Sequence, residues 1–153
     1  MFIFKKICVL AIVSALAATP VFAAGPDRKN RVSGQTVVEL YSGKTWIWSK
    51  GGSYWAPDGS FQAVWEDSVG LGKWYATSRG QLCYEALWYS SEGGSGDQNK
   101  ECFRHVADSK GQLWKYSDKD QSWYKPTKEF AERVKPGNKI SSQVRKLRKK
   151  YGI

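Results

Sequence analysis

Short runs of alternating apolar and other residues, separated by glycine-containing turns, dominate the chain between residues 44 and 125. Phe61, Ala63 and Trp65 recur at every second position, as in a strand with one buried face. In the turn at 57–59, Pro presets φ and Gly supplies a positive φ. The pattern predicts eight short strands, over residues 44–48, 53–56, 60–65, 72–77, 81–89, 100–107, 112–116 and 122–125.

The spacing of these strands favours an antiparallel architecture, because parallel neighbours need long crossover connections. A closed barrel also removes the exposed edges that an aromatic-rich sheet would otherwise present. We therefore expect a mainly β fold, a small up-and-down β-barrel of the lipocalin-like kind, with a sandwich as the alternative.

Helical patterns flank the predicted strands. Ser33 is placed to cap a short helix through Tyr41 that Gly43 ends, although a strand is the alternative for this β-branched stretch. Thr127 is placed to cap a second helix, and 136–138 (Pro-Gly-Asn) breaks it. A third, amphipathic segment is predicted from apolar residues at helical spacing, namely Ile140, Val144, Leu147 and Tyr151.

The first 23 residues have the layout of a secretory signal peptide. Two lysines precede an apolar stretch over 7–18, and Val21-Phe22-Ala23 offers a cleavage site after Ala23. The apolar stretch is shorter than the roughly 20 residues that span a bilayer, although an uncleaved anchor is the alternative. We expect a periplasmic protein exported through a cleaved signal peptide, with secretion beyond the periplasm as the alternative.

Charge divides the remaining chain into parts. We expect a flexible lead-in over 24–33, a β-domain with flanking helices over 34–132 and a basic tail over 133–153. Residues 24–132 hold 14 basic and 14 acidic residues, whereas 133–153 hold eight basic residues and no acid. The predicted β-domain is therefore neutral, and the excess positive charge lies in the tail.

Two cysteines, Cys83 and Cys102, remain after the predicted cleavage. An even count in an exported chain favours one disulfide, although two free buried thiols are the alternative. If the two face each other on antiparallel strands, Glu85 faces Lys100 and an opposite-charge pair lies beside the bridge.

Several short motifs lie along the predicted strands and turns, namely Ser42-Gly43-Lys44-Thr45-Trp46, Tyr54, Asp58-Gly59, Gly72-Lys73-Trp74, Leu82-Cys83-Tyr84 and Cys102. Together they resemble an uncharacterised family of exported proteobacterial proteins, the domain of unknown function 995. The resemblance covers roughly residues 37–123, leaves out the basic tail and supports a periplasmic β-domain with a Cys83–Cys102 bridge. It implies no activity and no catalytic residues.

Recognisable catalytic patterns are missing from the sequence. The single histidine, His105, has no motif partner, and we expect it at the surface or at a barrel rim. The close acidic pairs, 66–67 and 118/120, fall in predicted turns, where carboxylates are ordinary solvated groups. We therefore expect no enzyme activity, no metal site and no cofactor.

Tryptophan is the main source of candidate binding residues, since aromatic side chains line apolar pockets and stack on sugar rings. All eight lie between residues 46 and 123, and core packing is the simpler explanation for most of them. Trp46 and Trp48 share one face of a strand whose other face is also partly apolar, so that strand needs cover on both sides. The candidate ligand-binding residues are Trp46, Trp48, Trp74 and Trp88.

The basic tail is a candidate for contact with an anionic membrane surface, and such binding should weaken as salt rises. A solvated end that aids solubility is the alternative. We expect no nucleic-acid partner for an exported protein. The candidate residues are Arg145, Lys146, Arg148, Lys149 and Lys150.

These features favour a non-enzymatic periplasmic module, expected to be a monomer, that binds an envelope component or a small apolar ligand. The alternative is an interaction protein, such as an inhibitor or an assembly factor, that acts on another exported protein.

Overall fold

The structure, a computed structural model, describes residues 25–92 and 94–153. The predicted signal peptide lies outside the described residues. In chain order the elements are α1 (Gly34–Tyr41), β1 (Lys44–Trp48), β2 (Gly51–Trp55), β3 (Ser60–Trp65), β4 (Ser68–Ala76), β5 (Gln81–Ser90), β6 (Gly94–Ala107), β7 (Leu113–Ser117), β8 (Ser122–Tyr124), α2 (Thr127–Arg133), β9 (Val134–Pro136) and α3 (Ser141–Tyr151).

The described strands form one antiparallel sheet in the order β8-β7-β6-β5-β4-β3-β2-β1-β9. The predicted antiparallel, up-and-down order of the strands is confirmed, but the sheet has nine strands rather than eight and is not closed. Its edges are β8 and β9, and α2 joins them along the chain. The edges are thus linked through a helix and not by a ladder of backbone hydrogen bonds.

The sheet curls around an aromatic core. The Lys115 ammonium on β7 lies 3.9 Å from the ring centroid of Trp46 on β1, although the two strands are six positions apart in the sheet. Tyr41 of α1 reaches His105 on β6, with 2.9 Å between the hydroxyl oxygen and Nε2. Contacts across the concave side therefore hold the two halves of the sheet together, as hydrogen bonds between the first and last strands do in a closed barrel.

The helix α1 forms as the capping pattern predicts, and it packs against the core on this concave side. Ser33 Oγ accepts a hydrogen bond from the Thr36 backbone N–H at 3.0 Å, and Gly43 follows the helix with φ +71°. Val37 and Tyr41 are buried in the core. The helix prediction is confirmed, and the strand alternative is wrong.

Strands β5 and β6 form the longest pairing of the sheet. The register places Cys83 opposite Cys102, with Cα atoms 4.1 Å apart in a disulfide, and Glu85 opposite Lys100. The Lys100 ammonium lies 2.6 Å from the Glu85 carboxylate. Both the predicted bridge and the register that follows from it are confirmed.

The Gly/Ser-rich stretch over 90–99 has the composition of an exposed flexible loop, but most of it forms a strand. Strand β6 begins at Gly94, and its ladder with β5 extends to the pair Ser90–Gly94 across a bulge at Trp88/Tyr89. The long edge of β5 supplies hydrogen-bonding partners that outweigh the low strand propensity of this composition.

The residues after Pro126 complete the fold. Thr127 is the first helical residue of α2 rather than its cap, since Pro126 holds that position without a side-chain hydrogen bond. Strand β9, which the sequence does not predict, pairs with β1. The predicted third helix forms as α3 and packs on the convex face of β3 and β4, where Val144 and Leu147 join Val64 and Val69.

The cover needed on the second face of β1 also comes from this region. The Thr45 hydroxyl donates to the Gly137 carbonyl at 2.6 Å and accepts from the Lys139 backbone N–H at 3.0 Å. Thr45 is fully buried as a result. The stretch expected to be a tail is therefore packed against the sheet.

Candidate functional site

A cavity of about 630 Å³ opens on the concave side of the sheet. Most of its wall is aromatic, and its polar groups lie on β2, β4, β6, β7 and α2. The lining residues are Tyr41, Trp46, Trp48, Ser53, Trp55, Phe61, Trp65, Ser68, Leu82, Tyr84, Trp88, Asn99, Glu101, Phe103, Lys115, Glu129 and Arg133.

The deepest part of the cavity wall is a packed aromatic cluster. Phe61 and Tyr84 stack with ring centroids 4.5 Å apart, and Trp55 packs against Phe61 at 4.9 Å. Tyr41 stacks on Trp46, with ring planes 11° apart. These rings hold one another in place, so this wall is preorganised for an apolar molecule.

Trp88 owes its position on the cavity wall to a glycine on the neighbouring strand. Gly70 lies opposite Trp88 in the β4–β5 ladder, and a Cβ atom at Gly70 would lie 2.7 Å from the indole ring. Any larger residue would therefore displace the ring.

Two other tryptophans line the cavity in less buried positions. Trp48 and Trp65 lie with ring centroids 6.1 Å apart. Trp65 is 41% exposed, whereas Phe61 and Ala63 on the same face of β3 are buried. The predicted apolar face of β3 therefore runs from the core to solvent along the cavity.

Two indole N–H groups on lining residues have no hydrogen-bond partner. The Nε1 atoms of Trp55 and Trp88 are both buried and unpaired within the described chain. Leaving a buried donor unsatisfied costs about 1–3 kcal/mol. Because both residues line the cavity, a ligand acceptor could recover that free energy if a shift of the ring brought the N–H to the cavity surface.

Lys115 places a cation on the wall. Its ammonium lies 3.9 Å from the ring centroid of Trp46 and 5.1 Å from that of Phe103, and no carboxylate of the described residues lies within ion-pair distance. Burial lowers the pKa of the ammonium to about 8, and Glu129 acts in the opposite direction. An anionic group on a ligand would find here a partly desolvated, unpaired cation.

Three of the four tryptophans predicted from the sequence, Trp46, Trp48 and Trp88, line this cavity. Trp74 does not line it. Its ring is buried, and its Nε1 donates to the Ala56 carbonyl at 2.7 Å, so it is a core residue with a satisfied donor.

Sequence reasoning missed Trp55, Trp65 and Lys115. The alternation of β3 places Trp65 on the same face as Phe61 and Ala63, which is the concave face. Trp55 lies two residues after Ser53 on β2, so both side chains are on that face as well. For Lys115 the sequence carries no such signal, because its position depends on how the sheet curls.

His105 is buried, and the expectation of a surface or rim position is wrong. It is 1% exposed. Because a carbonyl oxygen only accepts, Nδ1 donates to Gly80 at 3.2 Å, and Nε2 therefore accepts from the Tyr41 hydroxyl at 2.9 Å. Burial is the main cause that lowers the pKa of the ring to about 4. The histidine links α1 to β6 and lies outside the cavity wall.

The basic residues of α3 are all exposed, and Lys150 pairs with Asp67 at 3.3 Å. The apolar residues of this helix pack against the sheet. Contact with an anionic surface stays a prediction, and it depends on the exposed cations alone, because the helix has no free apolar face to insert into a membrane.

The acidic pairs expected to be solvated accept ordinary hydrogen bonds from serine. The Ser91 hydroxyl donates to the Asp67 carboxylate at 2.7 Å, and the Ser117 hydroxyl donates to the Asp120 carboxylate at 2.8 Å. In residues 25–92 and 94–153 we find no group of three or more acidic, His or Cys side chains arranged to hold a metal. None of the helices in these same ranges is both long and apolar enough to cross a membrane.

The fold and the cavity together define a class: a small β protein whose curled, unclosed sheet surrounds an aromatic-walled cavity. The chain belongs to the family described as protein of unknown function (DUF995), whose model matches residues 8–151. That match includes most of the basic tail, so the expectation that the tail lies outside the family region is wrong. Neither the curated proteins nor the solved structures contain a match to this chain.

Proposed function

We propose that this protein is a non-enzymatic binding module that holds a small, largely apolar molecule, such as an envelope component, in the aromatic cavity. The observation that carries the proposal is a cavity of about 630 Å³ whose wall combines packed aromatic rings with two unpaired indole N–H groups. Small-molecule sites have volumes of about 300–1,000 Å³, mostly apolar walls and a few polar groups that orient the ligand.

The polar groups of the wall favour a ligand of amphiphilic type. Its apolar body would lie against the aromatic rings, and an acceptor group would bond to the indole N–H of Trp55 or Trp88 after a small shift of that ring. A carboxylate or a similar anion would pair with Lys115, with Arg133 as a second cation on the wall. We further propose that the protein acts in the periplasm, as its signal-like N-terminus favours. We expect it to act there as a monomer.

The alternative function, an interaction protein acting on another exported protein, has no comparable support.

Replacing Trp65 with alanine tests the proposal at the cavity wall. We expect Trp65→Ala to weaken binding of dodecanoic acid about tenfold, because the ring supplies apolar contact to a bound chain. Tyr75→Ala is the matched control, since Tyr75 is equally exposed, at 40% against 41%, but lies outside the cavity wall. Tryptophan fluorescence titration measures both. Saturable binding that is unaffected by Trp65→Ala, or equally reduced by Tyr75→Ala, would contradict the proposal, as would a lack of saturable binding.

The pH dependence of binding tests the role of Lys115. A bound carboxylate favours the charged ammonium, so the affinity for dodecanoate should be constant between pH 6.5 and 7.5. Above the Lys115 pKa of about 8 it should fall by up to about tenfold per pH unit, because the free ammonium has lost its proton.

Dodecanol, which carries no charge, should show no such fall, and Lys115→Met should remove it for dodecanoate. Lys73→Met is the control, since Lys73 is exposed and outside the cavity wall. Equal pH profiles for dodecanoate in the wild type and in Lys115→Met would exclude Lys115 as the partner of the anion.

A further inference from the structure

A second pocket lies apart from the cavity and has a different chemistry. Its volume is about 360 Å³, and its lining has no residue in common with the aromatic cavity. Residues 24–132 contain four arginines and ten lysines. All four arginines line this pocket, and none of the ten lysines does; they are Arg28, Arg31, Arg79 and Arg104.

Backbone contacts fix the segment that carries the first two arginines. The Asp27 N–H donates to the Ala107 carbonyl at 3.3 Å, and the Ala107 N–H donates to the Asn30 carbonyl at 2.9 Å. Arg31 forms a bridge with Val106. The stretch that the sequence suggests to be a flexible lead-in is therefore attached to the end of β6.

The third arginine lies in the β4–β5 turn, which is held against the same end of β6. The Gly80 N–H donates to the Thr77 carbonyl at 3.1 Å, and the His105 N–H donates to the Gly80 carbonyl at 3.0 Å. Gly80 has φ +70°, and an added Cβ would lie 2.5 Å from the Val32 carbonyl oxygen. This close approach packs the turn that carries Arg79 against the segment that carries Arg31.

Arg104 completes the pocket from β6. Its guanidinium lies 3.6 Å from the ring centroid of Tyr116 and 5.9 Å from that of Trp123, and it approaches the Asp118 carboxylate at 3.5 Å. Stacking on Tyr116 restricts the guanidinium plane. Within the described chain, Arg28, Arg31 and Arg79 have no carboxylate within 4.0 Å, and the lining includes no acid.

The choice of arginine over lysine indicates what such a pocket recognises. A guanidinium donates two parallel hydrogen bonds to phosphate or carboxylate oxygens, whereas an ammonium acts as a point charge. Only Arg104 has a carboxylate partner, Asp118, so the empty pocket keeps an excess of positive charge from the other three arginines. A ligand with more than one negative charge would neutralise that excess better than a monoanion.

We propose that this pocket binds a ligand that carries a diphosphate or two neighbouring phosphate groups. Such a group is found both on soluble phosphorylated sugars and on phosphorylated lipid headgroups. Because the arginines are exposed, the binding is salt-dependent.

Calorimetric titration of the full mature protein with pyrophosphate at low ionic strength tests this site. We expect saturable 1:1 binding of pyrophosphate that is at least tenfold tighter than that of inorganic phosphate. Arg79→Gln should weaken pyrophosphate binding about tenfold, and Arg28→Gln/Arg79→Gln about a hundredfold. Arg79→Lys keeps the charge but loses the planar fork, and should recover less than half of the lost free energy of binding.

Lys29→Gln is the matched control. It removes one positive charge next to Arg28 from a side chain that does not line the pocket, and should change the affinity less than twofold. Equal weakening by Lys29→Gln and Arg79→Gln, or full recovery by Arg79→Lys, would reduce the effect to general charge attraction and overturn the proposal. Lack of saturable pyrophosphate binding by the wild type would overturn it as well. The aromatic cavity is not involved, so Trp65→Ala should leave pyrophosphate binding unchanged.

Competition then identifies the source of the phosphate groups. If UDP-glucose, a soluble sugar diphosphate, displaces pyrophosphate and diphosphate-bearing lipid vesicles do not bind, a soluble sugar is the ligand class. If the vesicles bind and Arg28→Gln/Arg79→Gln abolishes the binding, the ligand is a lipid headgroup. Failure of both arms would contradict the assignment.

Discussion

Acidification from pH 6.5 to pH 4 should lower the free energy of unfolding by about 3 kcal/mol through His105 alone. The folded-state pKa of the ring is about 4, below the value of about 6.5 in an unfolded chain. The unfolded state therefore binds the proton more tightly across this window. The stabilising contribution is complete above pH 6.5 and is lost as the pH falls toward 4. Urea unfolding at half-unit pH intervals measures it.

The chain has one histidine, so the upper part of this window isolates its effect. We expect His105→Gln to flatten the slope between pH 6.5 and 5, although it should lower stability at neutral pH because the Tyr41 and Gly80 contacts change. Asp58, Asp67, Glu85 and Asp108 have lowered pKa values, mainly from hydrogen bonds, and their contributions are lost at lower pH. Parallel slopes for the wild type and His105→Gln between pH 6.5 and 5 would contradict the buried, neutral histidine.

Acid should also disturb the cavity, because Tyr41 connects the histidine to the site. The Tyr41 hydroxyl donates to Nε2 of His105, and its ring stacks on Trp46 in the cavity wall. Protonation of Nε2 removes the acceptor for that hydroxyl.

Removal of the disulfide should have an effect of similar size. We expect Cys83→Ala/Cys102→Ala to lower the free energy of unfolding by about 3 kcal/mol, since the bridge closes a loop of about 20 residues in the unfolded chain. It also holds the longest pairing of the sheet in register, and β6 contributes Asn99, Glu101 and Phe103 to the cavity wall. Urea unfolding under oxidising conditions measures the difference.

Dithiothreitol provides the control, because it should destabilise the wild type by the same amount and leave the double alanine variant unchanged. A double variant as stable as the oxidised wild type would mean that the β5–β6 ladder alone sets the register. Loss of stability on adding dithiothreitol to the variant would show an effect unrelated to the bridge.

Local patterns predicted most of the sheet correctly. β1 and β3 have the predicted bounds, and Ser33 caps α1, because these elements depend on alternation and capping within a few residues. The register of Cys83 with Cys102 follows from a covalent constraint, which is why a conditional argument could reach it. The strand β9 escaped prediction because three residues beside a Pro-Gly-Asn break carry no periodicity of their own.

Features that depend on the curl of the sheet could not be predicted from the sequence. His105 and Lys115 are polar residues in strands, and the alternation does not show that one would be buried beneath Tyr41 and the other placed on the face of Trp46. The arginine pocket is similar, since Arg31, Arg79 and Arg104 come from segments far apart in the chain. The sequence also does not distinguish Trp74 from Trp88. Both lie on strands, but only Trp88 lines the cavity.

The indole N–H resonances of the eight tryptophans, followed by two-dimensional NMR during a titration with dodecanoic acid, test the central claim most directly. The proposed binding predicts that the Nε1–H signals of Trp55 and Trp88 move downfield as they gain an acceptor. The signals of Trp74 and Trp114 should stay in place, because their donors already bond to the Ala56 carbonyl and the Asp108 carboxylate. Unchanged signals for Trp55 and Trp88 at saturating ligand, or shifts confined to Trp114 and Trp123, would contradict a ligand site in the aromatic cavity.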